Sequence, residues 1–438
     1  MPSEMLNPTV PSLDLSTQAH LSAGRLLQAE YALRAALEAT PMALEPLMNL
    51  GAVLHMRGHI VSALSLYERA LAIAPRDIDL ISNRAHALLD AGRGFEALQS
   101  LRNLPAILSE HPLLQATQGA LLYALDDFTA ARATLRALTA TGRVDEMAWV
   151  NLSLCERALC EPEKALVALT EARDINPNNA RATAELVDLL TLLERCTEAC
   201  EIADNFLANH PGDRQVLAAC AIALVICGRQ EEAKEIVDLD RMITLHDLGH
   251  DGLPVALAEE IAKLLRADPS CLASPLSKAT RGGFQTGELD PSCHPALLAL
   301  EALILEQLNN ECPLQPLQQW HLRLWGTLIE SGGEQITHMH PRSEMSGVFY
   351  ILLPDEMQSK DIFAGALEFG RPPARSTMPL MTVTRCVTPA PGRLVLFPSH
   401  LWHRTLPFEA TGTRISVAFD ATVQNRESYE ESLQISPA

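Results

Sequence analysis

The sequence predicts a multidomain protein, an all-α repeat superhelix followed by a double-stranded β-helix (jelly-roll) domain with supporting helices. Three observations predict it. Alanine recurs every 34 residues through the first half of the 438-residue chain. Two amphipathic helical patterns occupy the middle. Eleven of the nineteen aromatic residues lie from Trp320 onward, among short alternating apolar runs.

The repeat comes first. Ala29, Ala63, Ala97, Ala131, Ala165, Ala199 and Ala233 follow one another at an interval of 34 without slippage. Gly24, Gly58, Gly92 and Gly228 stand five residues before their alanines, and three copies carry other residues there. Pro41, Pro75, Pro177 and Pro211 stand twelve residues after them. The alanine lets two antiparallel helices approach closely. The glycine ends the first helix in a left-handed conformation, and the proline stops the second. The pattern resembles the tetratricopeptide (TPR) repeat, best over residues 44–77, with Leu50, Gly51, Leu54, Gly58, Ala63, Tyr67, Ala70 and Pro75. About seven copies fill residues 15–240; the third is stretched near Leu104 to Pro112 and the seventh lacks its proline. One copy cannot bury its apolar stripe alone, so neighbours stack into a superhelix. The resemblance implies a concave face that binds a peptide or protein. Assembly or shielding of the second domain is the competing reading.

Residues 241–319 read as a helical linker, with helices at 253–266 and 296–309 and a loop rich in Pro, Ser, Gly and Cys over 267–294. Residues 320–425 read as the β-core, with strands near 323–330, 346–353, 364–369, 380–387, 393–397 and 414–420. Pro and Gly turns separate them, as expected of a sandwich or barrel.

Composition excludes several classes. A net charge of -20 leaves no basic field for nucleic acid. No apolar run reaches membrane-spanning length. The N-terminal stretch lacks the basic and apolar regions of a signal peptide. Ten cysteines without CxxC spacing suit a reducing compartment. The expectation is a cytoplasmic protein with no nucleic-acid or membrane partner; a homo-oligomer stays open. Cys196 and Cys200, one helical turn apart, lack further ligands at zinc spacing and read as core thiols.

Chemistry concentrates in the tail. His338 and His340 share a face if their segment is a strand. His403 follows an apolar run, 394–397, that reads as a neighbouring strand. Three converging imidazoles suggest a metal. Arg414, eleven residues beyond His403, supplies a fixed cation able to take a carboxylate bidentately. A metal beside an anion clamp suits an oxygenase that uses an organic diacid.

The run His338-Met339-His340-Pro341-Arg342-Ser343, with Ser346-Gly347-Val348-Phe349-Tyr350 after it, resembles the HxHPxSxxSGVYY signature of a family of 2-oxoglutarate/Fe(II)-dependent oxygenases. Later segments agree: Gly365 to Phe369, Leu396-Phe397-Pro398-Ser399 with His403, and Arg414-Ile415-Ser416. Upstream, Ala279 to Thr286 is also similar, so the match spans roughly 270–421. The resemblance implies that Fe(II), 2-oxoglutarate as co-substrate and dioxygen serve this chain, with no catalytic residue beyond the metal ligands. It implies His338 and His403 as ligands, Arg414 on the distal carboxylate of 2-oxoglutarate, Ser416 adding a hydrogen bond and Tyr350 a phenol contact. The family's usual site is two histidines and a carboxylate, and His340 stands where that carboxylate belongs. Either His340 completes an all-histidine triad, or it contacts substrate while a carboxylate such as Glu344 coordinates. Loss of the carboxylate leaves the centre more positive and strengthens its hold on an anion. Histidine leaves no vacancy for a halide, which disfavours halogenation. His400 reads as substrate-proximal or structural, Trp325 and Trp402 as core or pocket wall. The implied activity is hydroxylation of an amino-acid side chain in a peptide or protein held by the repeats. A small-molecule oxygenase with an assembly domain and an inactive scaffold are the alternatives.

Overall fold

Every alanine of the repeat lies where two helices touch: the first six are fully buried and Ala233 is 4% exposed. The computed structural model describes residues 15–425 apart from 143, 250–252, 276–277, 356, 358–360 and 374–382. The first copies pair α1 (Leu15–Ser22) with α2 (Leu26–Ala39), α3 (Leu44–Met56) with α4 (Ile60–Ile73), and α5 (Ile78–Asp90) with α6 (Gly94–Arg102). A short α7 (Ala106–Ser109) absorbs the stretch in the third copy. The next copies pair α8 (Pro112–Ala124) with α9 (Phe128–Thr139), α10 (Glu146–Ala158) with α11 (Pro162–Ile175), α12 (Ala180–Leu192) with α13 (Cys196–Leu207), and α14 (Arg214–Ile226) with α15 (Gln230–Ile236).

The turn inside each pair is the same even where glycine is missing. Gly24, Gly58, Gly92 and Gly228 have φ of 71°, 83°, 76° and 78°. Asp126, Cys160 and Glu194, at the same repeat position, take 61°, 58° and 61°. The capping bond persists too: His59 N donates to Leu54 O at 2.8 Å, and Glu161 N to Glu156 O at 2.9 Å. The left-handed conformation costs an L-residue on the order of 1 kcal/mol, so helix pairing overrides local preference in three copies.

After the array come α16 (Leu239–Met242), β1 (Thr244–Asp247), α17 (Val255–Ala267), β2 (Leu272–Ala273), β3 (Thr280–Glu288) and α18 (Pro295–Glu311). Then follow β4 (Gln318–His338), β5 (Met345–Leu352), β6 (Leu367–Phe369), β7 (Arg385–Val387), β8 (Arg393–Pro398), β9 (His403–Thr405) and β10 (Arg414–Asn425). They form one curled antiparallel sheet in the order β1-β8-β5-β10-β4-β9-β6-β7, with β3 also on β4 and β2 on β3. This is a helical repeat region followed by a jelly-roll domain. Strand alternation divides β10: Ile415, Val417, Phe419 and Ala421 join the apolar core under α17 and α18, with Leu265, Leu300 and Ile304. The intervening Arg414, Ser416, Ala418 and Asp420 face the other way.

Several expectations need correction. Residues 267–294 are not a loop, because they contain β2 and β3. Gly283 hid the strand: a Cβ there would lie 2.5 Å from Leu328 O, so only glycine allows β3 to lie against β4. The linker is not purely helical either, since β1 pairs Thr244–Asp247 with Arg393–Leu396. The strand expected at 323–330 runs from Gln318 to His338. Of the strands expected at 364–369 and 380–387, only Leu367–Phe369 and Arg385–Val387 are extended, and 380–382 lies outside the described residues.

The two parts touch at both ends. Glu288 N donates to Arg57 O at 2.6 Å, and Tyr31 hydrogen-bonds Asp290. At the far end, Arg385 donates to Leu239 O at 2.6 Å, and His400 Nε2 lies 2.8 Å from Ile236 O. His400 is therefore a structural tie to the last repeat. Between these contacts the array carries an open cavity of about 580 Å³, lined by first helices of copies three to seven and by Pro341 and Arg342.

Candidate metal centre and anion clamp

β4 and β9 bring the first two imidazoles together: His338 and His403 are direct cross-strand partners. The strand carrying His403 is thus β9, a three-residue piece too short to show a periodicity. His340 lies two residues past the end of β4, and its N–H donates to Ser399 O at 2.9 Å. One candidate ligand atom from each histidine lies within 4.8 Å of the other two. Ring centroids are 4.2 Å apart for His338 and His403, 5.1 Å for His338 and His340, and 5.2 Å for His340 and His403.

All three rings have Nδ1 engaged. His338 Nδ1 lies 2.8 Å from Ile336 O and His403 Nδ1 2.9 Å from Leu401 O. A carbonyl only accepts, so Nδ1 carries the proton and Nε2 keeps its lone pair. His340 Nδ1 faces Asp420 Oδ1 at 3.1 Å, with the same result. Burial holds His338 down to about 3, with His340 pushing the same way and the Ile336 carbonyl opposing. Burial, then His338 and His340, holds His403 well below the ordinary range. Both rings are therefore neutral, as metal ligation demands. Three clustered imidazoles, each with Nδ1 engaged, fit a divalent iron or similar ion.

The sequence reading missed Asp420. Burial pushes its carboxyl up, but His340, Arg323 and the Ser346 hydroxyl outweigh this and bring it to about 2. Ser346 Oγ donates to Asp420 at 2.8 Å, Ser399 Oγ lies 2.8 Å from Ser346 Oγ, and Ser343 Oγ donates to Ser399 at 3.0 Å. The two serines of the signature thus hold the carboxylate behind His340. A carboxylate therefore stands directly behind His340, the residue at the position where the family's ligating carboxylate belongs. The signal was available: Asp420 has the strand parity of Arg414 and Ser416. Glu344 is elsewhere. Its side chain is 42% exposed, faces Arg214 at 4.0 Å and accepts from Val423 N at 3.1 Å.

Arg414 lines the same small cavity as the three histidines, together with Trp325 and Phe397. The guanidinium is 1% exposed, and its Nε has no partner among the described residues. Nη1 reaches Ser416 Oγ at 3.5 Å, and Ser416 Oγ in turn lies 2.7 Å from Thr327 Oγ1. Tyr350 packs flat under the cation, 4.9 Å from ring centroid to Arg414 Cζ. Its buried hydroxyl meets no hydrogen-bonding group other than Arg414 among the described residues. A buried cation with a spare donor beside a phenol is suited to receive an anion. Trp325 lies tilted against His340 at 5.7 Å, while Phe397 meets His403 edge-on at 4.7 Å. Both belong to the pocket wall.

Residues 323–420 match a family model described as "Putative 2OG-Fe(II) oxygenase". No curated protein matches the chain. Similar solved structures include a TPR protein from Parabacteroides merdae, at 18% identity over 50% of this chain and 87% of that one, with a TM-score of 0.40. A prolyl-4-hydroxylase from Pseudomonas putida is 23% identical over 42% of this chain and 95% of that one, at 0.31. A TPR protein from Thermus thermophilus is 22% identical over 42% of this chain and all of that one, at 0.37. A helical repeat array is thus followed by a domain that resembles this family over residues 323–420.

Proposed function

We propose that the protein is a 2-oxoglutarate- and Fe(II)-dependent dioxygenase that hydroxylates an amino-acid side chain of a peptide or protein held by the repeats. The observation that carries this reading is one cavity lined by three histidines whose Nδ1 atoms are engaged and by a buried, incompletely partnered Arg414.

His338, His340 and His403 hold the iron through Nε2, each ring fixed by its Nδ1 bond. Arg414, with Ser416 and Tyr350, takes the distal carboxylate of the diacid and so orients its keto-acid end. Trp325 and Phe397 wall off water. When bound, iron, 2-oxoglutarate and dioxygen supply oxidative decarboxylation to succinate and carbon dioxide coupled to oxidation of an unactivated C–H bond. The polypeptide part of the proposal is supported by the cavity of the array, whose wall includes Pro341 and Arg342, directly after His340. Purified protein given Fe(II), 2-oxoglutarate and oxygen should release succinate, and omission of either iron or the keto acid should stop it. Absence of succinate release under every loading condition would leave a binding scaffold.

A further inference from the structure

One turn fixes two of the three clustered histidines. It covers residues 398–402, between β8 and β9, and Leu401 N closes it by donating to Pro398 O at 3.1 Å. Ser399 O accepts from His340 N at 2.9 Å. Two residues on, Leu401 O lies 2.9 Å from His403 Nδ1. Ser399 Oγ also lies 2.8 Å from the Ser346 hydroxyl, which donates to Asp420 behind His340. The backbone of His340, the ring of His403 and the carboxylate behind His340 therefore all depend on where this turn sits.

His400 lies between those two residues and ties the turn to the array. Its Nε2 is 2.8 Å from the carbonyl oxygen of Ile236, the last residue of α15. A carbonyl only accepts, so Nε2 carries the proton and donates. Carbonyls in the last turn of a helix have no partner inside it, which leaves this one open to an outside donor. The ring is 8% exposed, and burial holds it below the ordinary range, so it is neutral. Among the described residues, no other member of the turn has a hydrogen bond to the array. The rest of the turn is held by its own domain: the Leu401 side chain lies in the core with Tyr350 and Phe397, and Trp402 O accepts from Gly370 N at 2.9 Å. If the His400 bond were lost, the Ser399 and Leu401 carbonyls would move together. A ligating set tolerates displacements of only about 0.5 Å.

We propose that His400 is a positioning residue for the metal centre: by tying this turn to the last repeat it keeps His340 and His403 in place to ligate, so that the array sets metal affinity. This assignment rests on the oxygenase reading, in which the three histidines hold iron.

The test is anaerobic titration of the full-length protein with Fe(II) against a chelating indicator, with Co(II) as a second probe whose visible absorption reports its ligand set. His400→Phe keeps the bulk of the ring and removes the donor, whereas His400→Gln supplies an amide N–H in its place. His400→Phe should weaken Fe(II) binding about tenfold, the lower end of the effect of losing a group behind a ligand, and alter the Co(II) spectrum. His400→Ala, with no bulk to accommodate, should weaken it at least as much. His400→Gln should restore most of both readouts. Arg385→Met is the control: Arg385 ties the same junction by donating to Leu239 O, but has no hydrogen bond to the turn among the described residues. It should lower thermal stability and leave both metal readouts unchanged. Unchanged affinity in His400→Phe and His400→Ala, equal weakening in Arg385→Met, or no recovery in His400→Gln would overturn the proposal. Wild-type protein that binds neither metal would end the oxygenase reading itself, whereas equal binding by wild type and the His400 variants ends only this assignment.

Discussion

Asp420 Oδ1 lies 3.1 Å from Nδ1 of His340 and holds that ring beside the other two histidines. A carboxylate behind a ligating imidazole fixes its tautomer and raises its basicity. Asp420→Ala should therefore weaken metal binding about 10–100-fold, measured by competition with a chromogenic chelator. Asp420→Asn, which can still accept from Nδ1–H, should fall between. An unchanged affinity in the alanine variant would mean that His340 is positioned by Ser399 and packing alone.

Arg414 and His403 line one cavity but are assigned different tasks, and single substitutions should separate them. Arg414→Ala should keep its metal and lose 2-oxoglutarate affinity by about a hundredfold, the scale expected when one partner of a buried charge pair is removed. His403→Ala should lose the metal, read by elemental analysis of protein purified in excess iron. Normal co-substrate binding in Arg414→Ala would end the clamp assignment.

The parts legible in the sequence were those set by a repeated local rule. Alanine at an interval of 34 marked the helix pairs, since a single buried position has to be small in every copy. The imidazole pair was legible from the i, i+2 spacing of His338 and His340. Elements fixed by distant contacts were not. β3 is built around Gly283, whose missing side chain is what the neighbouring backbone requires, so no apolar pattern marks it. β1 is four residues with alternating burial, stabilised by β8 some 150 residues away. Asp420 escaped because its role lies in a partner 80 residues earlier, although its strand parity pointed into the site.

His86 should make the array sensitive to acid. Burial, aided by nearby His55 and opposed by Asp90, holds its imidazole at about 3 against an ordinary 6.5. Between those values the unfolded chain binds a proton that the folded one refuses. Stability from this site is therefore complete above pH 6.5 and falls as pH drops toward 3, by about 1.4 kcal/mol per unit at most. His86→Leu removes the group and should flatten the dependence of thermal stability on pH over that window. Parallel curves for the two proteins would show that His86 protonates in the folded state.

The contact between the array and β3 turns on Arg57. It is 5% exposed and sits between the Glu30 carboxylate and Glu288, whose Oε1 is 3.6 Å from Arg57 Nε. Glu288 has a second cation, Arg323, at 2.8 Å, and Glu30 has Arg34 at 2.6 Å, but Arg34 is half exposed. Arg57→Met would leave Glu30 with only that solvated partner. Breaking a buried pair from one side costs about 3–5 kcal/mol, far above the value of a surface pair. The loss should appear as a lower denaturation midpoint and as faster amide exchange at Glu288, whose N–H donates to the Arg57 carbonyl. Adding Glu30→Gln removes the stranded charge and should recover part of the stability, while Glu288 stays paired with Arg323. If Arg57→Met costs no more than an exposed ion pair, the cluster is solvated and the array is not locked to the sheet through it.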